Sequence, residues 1–153
     1  MQTLEAEILL VEDSDADAEL TIHTLRKNQL ANRIHVATDG EQALNFLFCR
    51  GPHQDRSLKH PPKLILLDLK LPKVDGIEVL QAIKNDERTR PIPVIVLTSS
   101  KEQVDLVNSY RLGVNSYVQK PVDFGKFEET IRQLGMYWLL VNQPPPPGLF
   151  LLG

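Results

Sequence analysis

Three uninterrupted apolar runs, Ile8–Val11, Leu64–Leu67 and Val94–Leu97, restrict this chain more than any other feature. A strand with one face in water alternates apolar and polar residues. ILLV, LILL and VIVL contain no polar member, so each asks to be covered on both faces. Ser116–Gln119 stands out as a fourth strand-like run, and Ile34–Ala37 is a weaker fifth. Between the runs the apolar spacing changes from two to three or four. Leu20, Ile22 and Leu25 mark a first helix, opened by Ser14 or Asp15 as N-cap. Val79, Leu80 and Ile83 mark one after Gly76, and Val104 and Val107 mark one after Ser100. Phe127, Ile131, Leu134, Trp138 and Val141 line one face of a long last helix. Strand and helix in alternation predict βαβ units, whose right-handed crossovers build a doubly wound α/β fold: a five-stranded parallel sheet with helices on both faces. Ligands of such sheets bind where strand ends meet a topological switch point.

With 153 residues the chain has room for one ordinary core, here residues 1–141, followed by a tail over 142–153. Two segments stand outside the rhythm. Arg50–Pro62, rich in His, Pro and charge, reads as a long surface loop, and Pro144–Pro147 favour a stiff extended strut that ends in the apolar tip Leu149–Leu152. A formal charge of −3 offers no basic stripe for a phosphate backbone, which argues against nucleic acid as a direct partner. No apolar run approaches bilayer length, so no membrane is expected, and the N-terminus lacks a basic region followed by an apolar stretch. The only cysteine, Cys49, has no partner for an internal disulfide, and its apolar neighbours suggest a packed thiol. A cytoplasmic protein fits all of this. His23, His35, His53 and His60 lack metal-ligand spacing.

The chemistry sits at the strand ends. Glu12 and Asp13 directly follow the first strand and Asp68 follows the third, so the sheet can bring three carboxylates to one edge. Lys120, at the end of the fifth strand, would leave a formal −2 from three negative charges and one positive. Oxygen ligands and that charge suit a hard divalent cation, with Mg²⁺ the natural candidate. Asp68 is a nucleophile of the acyl-phosphate type, and the Thr98 hydroxyl ends strand four where it can bond a phosphoryl oxygen. The plainer alternatives are acids that open a helix, a threonine that caps the next one, and a solvated lysine.

VEDSDAD after strand one, LILLDLKLPKVDG around strand three, VIVLTSS at strand four and YVQKP at strand five closely resemble the receiver domain of two-component response regulators. The four motifs cover nearly the whole chain to about Val141. The resemblance implies the flavodoxin-like strand order 2-1-3-4-5. It implies that Asp68 takes a phosphoryl group from a histidine kinase. Asp13, Asp68 and the backbone carbonyl of Lys70 would hold Mg²⁺, with Glu12 acting through a water. Thr98 and Lys120 would engage the phosphoryl group, a cis peptide would precede Pro121, and Tyr117 would be the switch aromatic that moves inward with Thr98. Lys70 departs from the smaller residues common at its position, and slow self-dephosphorylation is expected if its side chain shields the acyl phosphate.

Two other classes compete. An Mg²⁺-dependent aspartyl-phosphate hydrolase would be expected to carry a second acid two residues after Asp68, where Lys70 stands. A non-phosphorylated interaction module would keep the fold without turnover, and the joint presence of Asp13, Asp68, Thr98 and Lys120 speaks against it. The chain also lacks the glycine patterns of nucleotide binding. It is expected to catalyse only its own phosphorylation and dephosphorylation, with output through protein contacts. LVEDSDADAEL, the extended loop before strand three, LILLDLKLPK and the aromatic end of the last helix are similar to stand-alone regulators paired with cyanobacterial phytochromes, so a phytochrome kinase is the expected partner. A homodimer is expected through the face of helix four, strand five and helix five, with Val107, Tyr110 and Phe127 contributing, and the tail packing across it.

Overall fold

The computed structural model describes residues 6–143, so the Pro144–Pro147 strut and the Leu149–Leu152 tip lie outside the described residues. Five parallel strands, β1 (Ile8–Val11), β2 (Ile34–Ala37), β3 (Leu64–Leu67), β4 (Val94–Thr98) and β5 (Ser116–Gln119), form one sheet in the order β2-β1-β3-β4-β5. Every residue of β1, β3 and β4 is buried, as uninterrupted apolar runs require. β4 extends one residue beyond its apolar run to include Thr98.

Five helices cover the sheet: α1 (Asp15–Lys27), α2 (Gly40–Leu47), α3 (Gly76–Asn85), α4 (Gln103–Arg111) and α5 (Phe124–Gly135). Ser14, Asp39, Asp75 and Asp123 each accept a first-turn backbone N–H, opening α1, α2, α3 and α5. Alternation along the strands divides the core. Leu9, Val11, Ile65, Leu67, Val94 and Val96 pack with α2 and α3 on one face, while Ile8, Leu10, Leu64, Leu66, Ile95 and Leu97 pack with α1 and α5 on the other. Tyr117 and Val118 lie on opposite faces, as the same period predicts.

Several local expectations are corrected. The buried face of α1 is Ala18, Thr21, Thr24 and Leu25, with Leu20 and Ile22 only half-buried. The threonines are tolerated because Thr21 Oγ1 donates to the Asp17 carbonyl at 2.7 Å and Thr24 Oγ1 to the Leu20 carbonyl at 2.8 Å. Val104 and Val107 are exposed, so the apolar stripe of α4 faces away from the core. Phe127 is only 4% exposed in the core beside Ile131, which removes it from any dimer face. Beyond Gly135 the last helix widens into a π-helical turn, Met136–Val141. The wider turn breaks the 3.6-residue phase, and Val141 emerges at 69% exposure rather than on the inner face.

The Arg50–Pro62 segment is a loop with one 3₁₀ turn, Gly51–His53. It is anchored nonetheless: the Arg56 guanidinium lies 3.7 Å from the Phe46 ring centroid and donates to the Phe46 carbonyl, while His35 stacks on the same ring at 4.2 Å.

Candidate functional site

Strand register builds the site. Val11 pairs with Ala37 on one side and with Leu67 on the other, so Glu12 and Asp68, the next residues along each strand, emerge side by side at the C-terminal edge. Thr98 pairs with Gln119, and the Lys120 N–H donates to the Thr98 carbonyl at 2.7 Å, which brings the lysine to the same edge. The carboxylates of Glu12, Asp13 and Asp68 offer oxygens that all lie within 4.8 Å of one another. Glu12 and Asp68 are buried and Asp13 is exposed, so the cluster opens toward solvent on one side.

Lys120 enters this cluster as its counter-charge. Its Nζ donates to Glu12 Oε1 at 2.6 Å, Asp68 Oδ2 at 2.8 Å and Asp17 Oδ2 at 2.9 Å. Burial opposes the charged lysine, but the bonds to Asp68, Glu12 and Asp17 outweigh it and raise its pKa. The Lys120–Pro121 peptide is trans, since the described residues contain no cis bond. The four-carbon stem, steered by three charge-assisted bonds, carries the ammonium inward without it. Asp17 is the contact that motif reading missed. An acid in the first turn of a helix is ordinarily explained by the helix dipole, and nothing local announces a bond to residue 120.

The carboxylates respond unequally. Burial lifts Asp68, but the hydrogen bond and charge of Lys120, joined by the Thr98 hydroxyl, outweigh it and leave Asp68 below its ordinary value. Burial dominates at Glu12, with the Asp68 charge adding to it against the pull of Lys120, and Glu12 is raised to about 7. One cation is thus too few for this cluster. A group whose folded pKa is raised contributes stability fully below its unfolded pKa, ordinarily near 4.5, and loses it as pH rises through the folded value. Asp68 acts in the opposite sense and only at acid pH. Glu12 is therefore expected to remove on the order of 2 kcal/mol of stability from metal-free protein between pH 5 and pH 8, opposed by His35, whose burial lowers its pKa, and read by urea denaturation in chelator as the difference between wild type and Glu12→Gln. Glu12→Gln should remove that loss, and a variant whose stability follows pH as wild type does would contradict the assignment.

The rim is set by close packing and ion pairs. Gly76 donates its N–H to the Leu69 carbonyl at 3.0 Å, and a Cβ on Gly76 would lie 2.4 Å from the Asp68 carbonyl oxygen. The Lys70 N–H donates to Asp68 Oδ1 at 3.3 Å. The Lys70 side chain is 57% exposed and is paired with Asp105 at 3.5 Å and Glu102 at 3.9 Å. Ser100 Oγ donates to Asp105 Oδ2 at 2.5 Å, and the Ser100 N–H donates to Thr98 Oγ1 at 3.2 Å. Thr98 is wholly buried. The Tyr117 hydroxyl is also shut off from solvent and has no hydrogen-bond partner, a condition that costs about 1–3 kcal/mol.

The oxygen-only donor set and its excess of negative charge fit a hard divalent cation. Among the described residues no helix is long and apolar enough to cross a membrane.

Comparison with known proteins agrees with this fold. The chain is 45% identical over 150 residues to "Probable methanogenesis regulatory protein FilR2" of Methanothrix harundinacea, covering 94% of this chain and 93% of that protein. It is 39% identical over 132 residues to response regulator Rcp1 of Synechocystis sp., covering 86% and 88%. The crystal structure of the Mn²⁺-bound form of Rcp1 matches with TM-score 0.85 at 38% identity, covering 90% of this chain and 97% of that one. The crystal structure of the phosphorylated cyanobacterial phytochrome response regulator RcpA matches with TM-score 0.86 at 35% identity, covering 93% and 99%. Residues 8–132 match the response regulator receiver domain, and they contain all five strands and every residue of the acidic site. The sheet ordered β2-β1-β3-β4-β5 fits that match, and the chain belongs to the response regulator receiver domain family.

Proposed function

We propose that this chain is a phosphoacceptor switch in which Asp68 accepts a phosphoryl group from a histidine kinase. The observation that carries the reading is the Asp68 carboxylate itself: ionised, pointed at the Lys120 ammonium 2.8 Å away, and set among further acids that ask for a cation. An Asp68 oxygen attacks phosphorus and forms the new P–O bond. The bond from phosphorus to the donor breaks, and the donor imidazole leaves with the electron pair. Lys120 faces the charge of the transferring oxygens, and Thr98, at the end of β4, presents its hydroxyl to them.

Glu12, Asp13, Asp68 and the backbone carbonyl of Lys70 are the proposed metal-holding set, and Mg²⁺ is the proposed ion. When bound, it neutralises phosphate oxygens and offsets the excess carboxylate charge. Tyr117, paired with Val96 two residues before Thr98, is the proposed switch aromatic, its hydroxyl already enclosed in this structure.

The likeness to Rcp1 and RcpA supports a phytochrome-type kinase as the partner. Exposed Val104, Val107 and Tyr110 on α4 support a homodimer through the α4–β5–α5 face, with residues 142–153 as an appended tail. Sedimentation showing only monomer with and without phosphorylation would remove the dimer.

Phosphorylation is tested with acetyl phosphate and intact-mass spectrometry. The expected result is the mass gain of one phosphoryl group with Mg²⁺ present and none in chelator. No gain under either condition would leave an interaction module that works unphosphorylated.

A further inference from the structure

We propose that Asp17 is a positioning residue that competes with the phosphoryl group for the Lys120 ammonium and so sets how readily Asp68 is phosphorylated. The inference rests on the phosphoacceptor reading of Asp68. A lysine ammonium has three N–H donors, and all three are engaged here, by Glu12, Asp68 and Asp17. A phosphoryl oxygen arriving on Asp68 finds no free donor on Lys120 unless one carboxylate lets go.

The three partners differ in what release entails. The Glu12 and Asp68 side chains are 4% and 7% exposed, and an oxygen of either, set free, would stay buried and unpaired. Asp17 is 35% exposed and can exchange the ammonium for water. It is therefore the partner that yields. Its place is fixed by α1: Ser14 Oγ accepts the Asp17 N–H at 3.3 Å, and the Glu12 carboxylate accepts the Ser14 N–H at 3.3 Å, so the helix start and the acidic site form one unit. Asp15 lies in the same first turn and serves the same helix dipole, but it makes no bond to Lys120. A neutral side chain at position 17 weakens the competitor, whose remaining acceptor is uncharged, and removes one charge that repels the incoming group. Both effects act in the same direction.

The test measures the Mg²⁺-dependent labelling rate by acetyl phosphate in the full chain and in Asp17→Asn, Asp17→Ser, Asp17→Glu and Asp15→Asn, each checked for folding by circular dichroism. Asp17→Asn and Asp17→Ser are expected to label about three- to fivefold faster, the scale of a partly exposed ion pair. Asp17→Glu should return toward the wild-type rate, and Asp15→Asn should match wild type. Equal or slower labelling in both neutral variants overturns the inference, and so does an equal gain in Asp15→Asn or a failure of both neutral variants to fold. If the wild-type chain takes no label at all, the phosphoacceptor reading itself falls, and this inference falls with it.

Discussion

Asp68→Asn is expected to take up no phosphoryl group from acetyl phosphate at any Mg²⁺ concentration, while keeping its fold. The amide that replaces the carboxylate is not a nucleophile toward phosphorus, and the adjoining acids have other partners or roles, Asp13 being in the proposed metal-holding set. Glu12 is buried and bonded to Lys120, and Asp17 is held by the same ammonium. Only a modest loss of stability is expected to accompany loss of function. The site holds more carboxylates than one lysine can balance, and the Asp68 charge is among the causes that raise Glu12. Removing that charge relieves Glu12 but forfeits the favourable interaction that holds Asp68 below its ordinary value, so the metal-free melting temperature should fall by no more than a few degrees. Intact-mass spectrometry and thermal denaturation read the two halves separately. A phosphoryl adduct on the variant would move the acceptor elsewhere. A large drop in melting temperature would mean that Asp68 is chiefly a structural partner of Lys120.

The second large effect is expected from Gly76→Ala. Alanine is ordinarily preferred to glycine in a helix by about 1 kcal/mol. At position 76 the sign should reverse, because an added Cβ would fall 2.4 Å from both the Asp68 carbonyl oxygen and the Leu69 Cα. Those are backbone atoms and cannot rotate aside, so the segment that carries Asp68 or the start of α3 must shift. A cost of about 3 kcal/mol is expected from overpacking of this kind, together with slower labelling of Asp68. Gly125 supplies the comparison. It lies in the first turn of α5, and a methyl group added there would meet, as its nearest atom, a carboxylate oxygen of Asp123 at 3.3 Å. Gly125→Ala should be near neutral. Chemical denaturation of the two variants decides the matter, and equal small effects would mean that the close approach at Gly76 relaxes freely.

Much of the fold and most of the site were legible without coordinates. β1 and β3 occupy the runs read from sequence, and β4 adds one residue, because a strand buried on both faces admits no polar interruption. Once β1, β3, β4 and β5 are placed, a parallel sheet brings their C-terminal ends to one edge, so Glu12, Asp13, Asp68, Thr98 and Lys120 could be grouped in advance. The N-caps were readable for a related reason, since Ser14 acts on an N–H three residues away. Effects that operate over a few residues leave their mark in the sequence.

The tertiary structure decided what depends on distant residues meeting. Asp17 reaches a lysine 103 positions away, Gly76 is required by a backbone that crosses it, and Arg56 anchors a loop without periodicity by lying on Phe46. Apolar character alone also failed to say which way a helix faces. Thr21 and Thr24 turn inward because their hydroxyls are satisfied by carbonyls of their own helix, while Val104 and Val107 turn outward. The sequence by itself determined the order of the strands along the chain and the chemistry at their ends, because burial and local hydrogen bonding act residue by residue. Only the packed molecule decided which carboxylates share one ammonium and which glycines, Gly76 among them, cannot bear a methyl group, because those outcomes depend on distances of a few ångströms between segments that the chain does not connect locally.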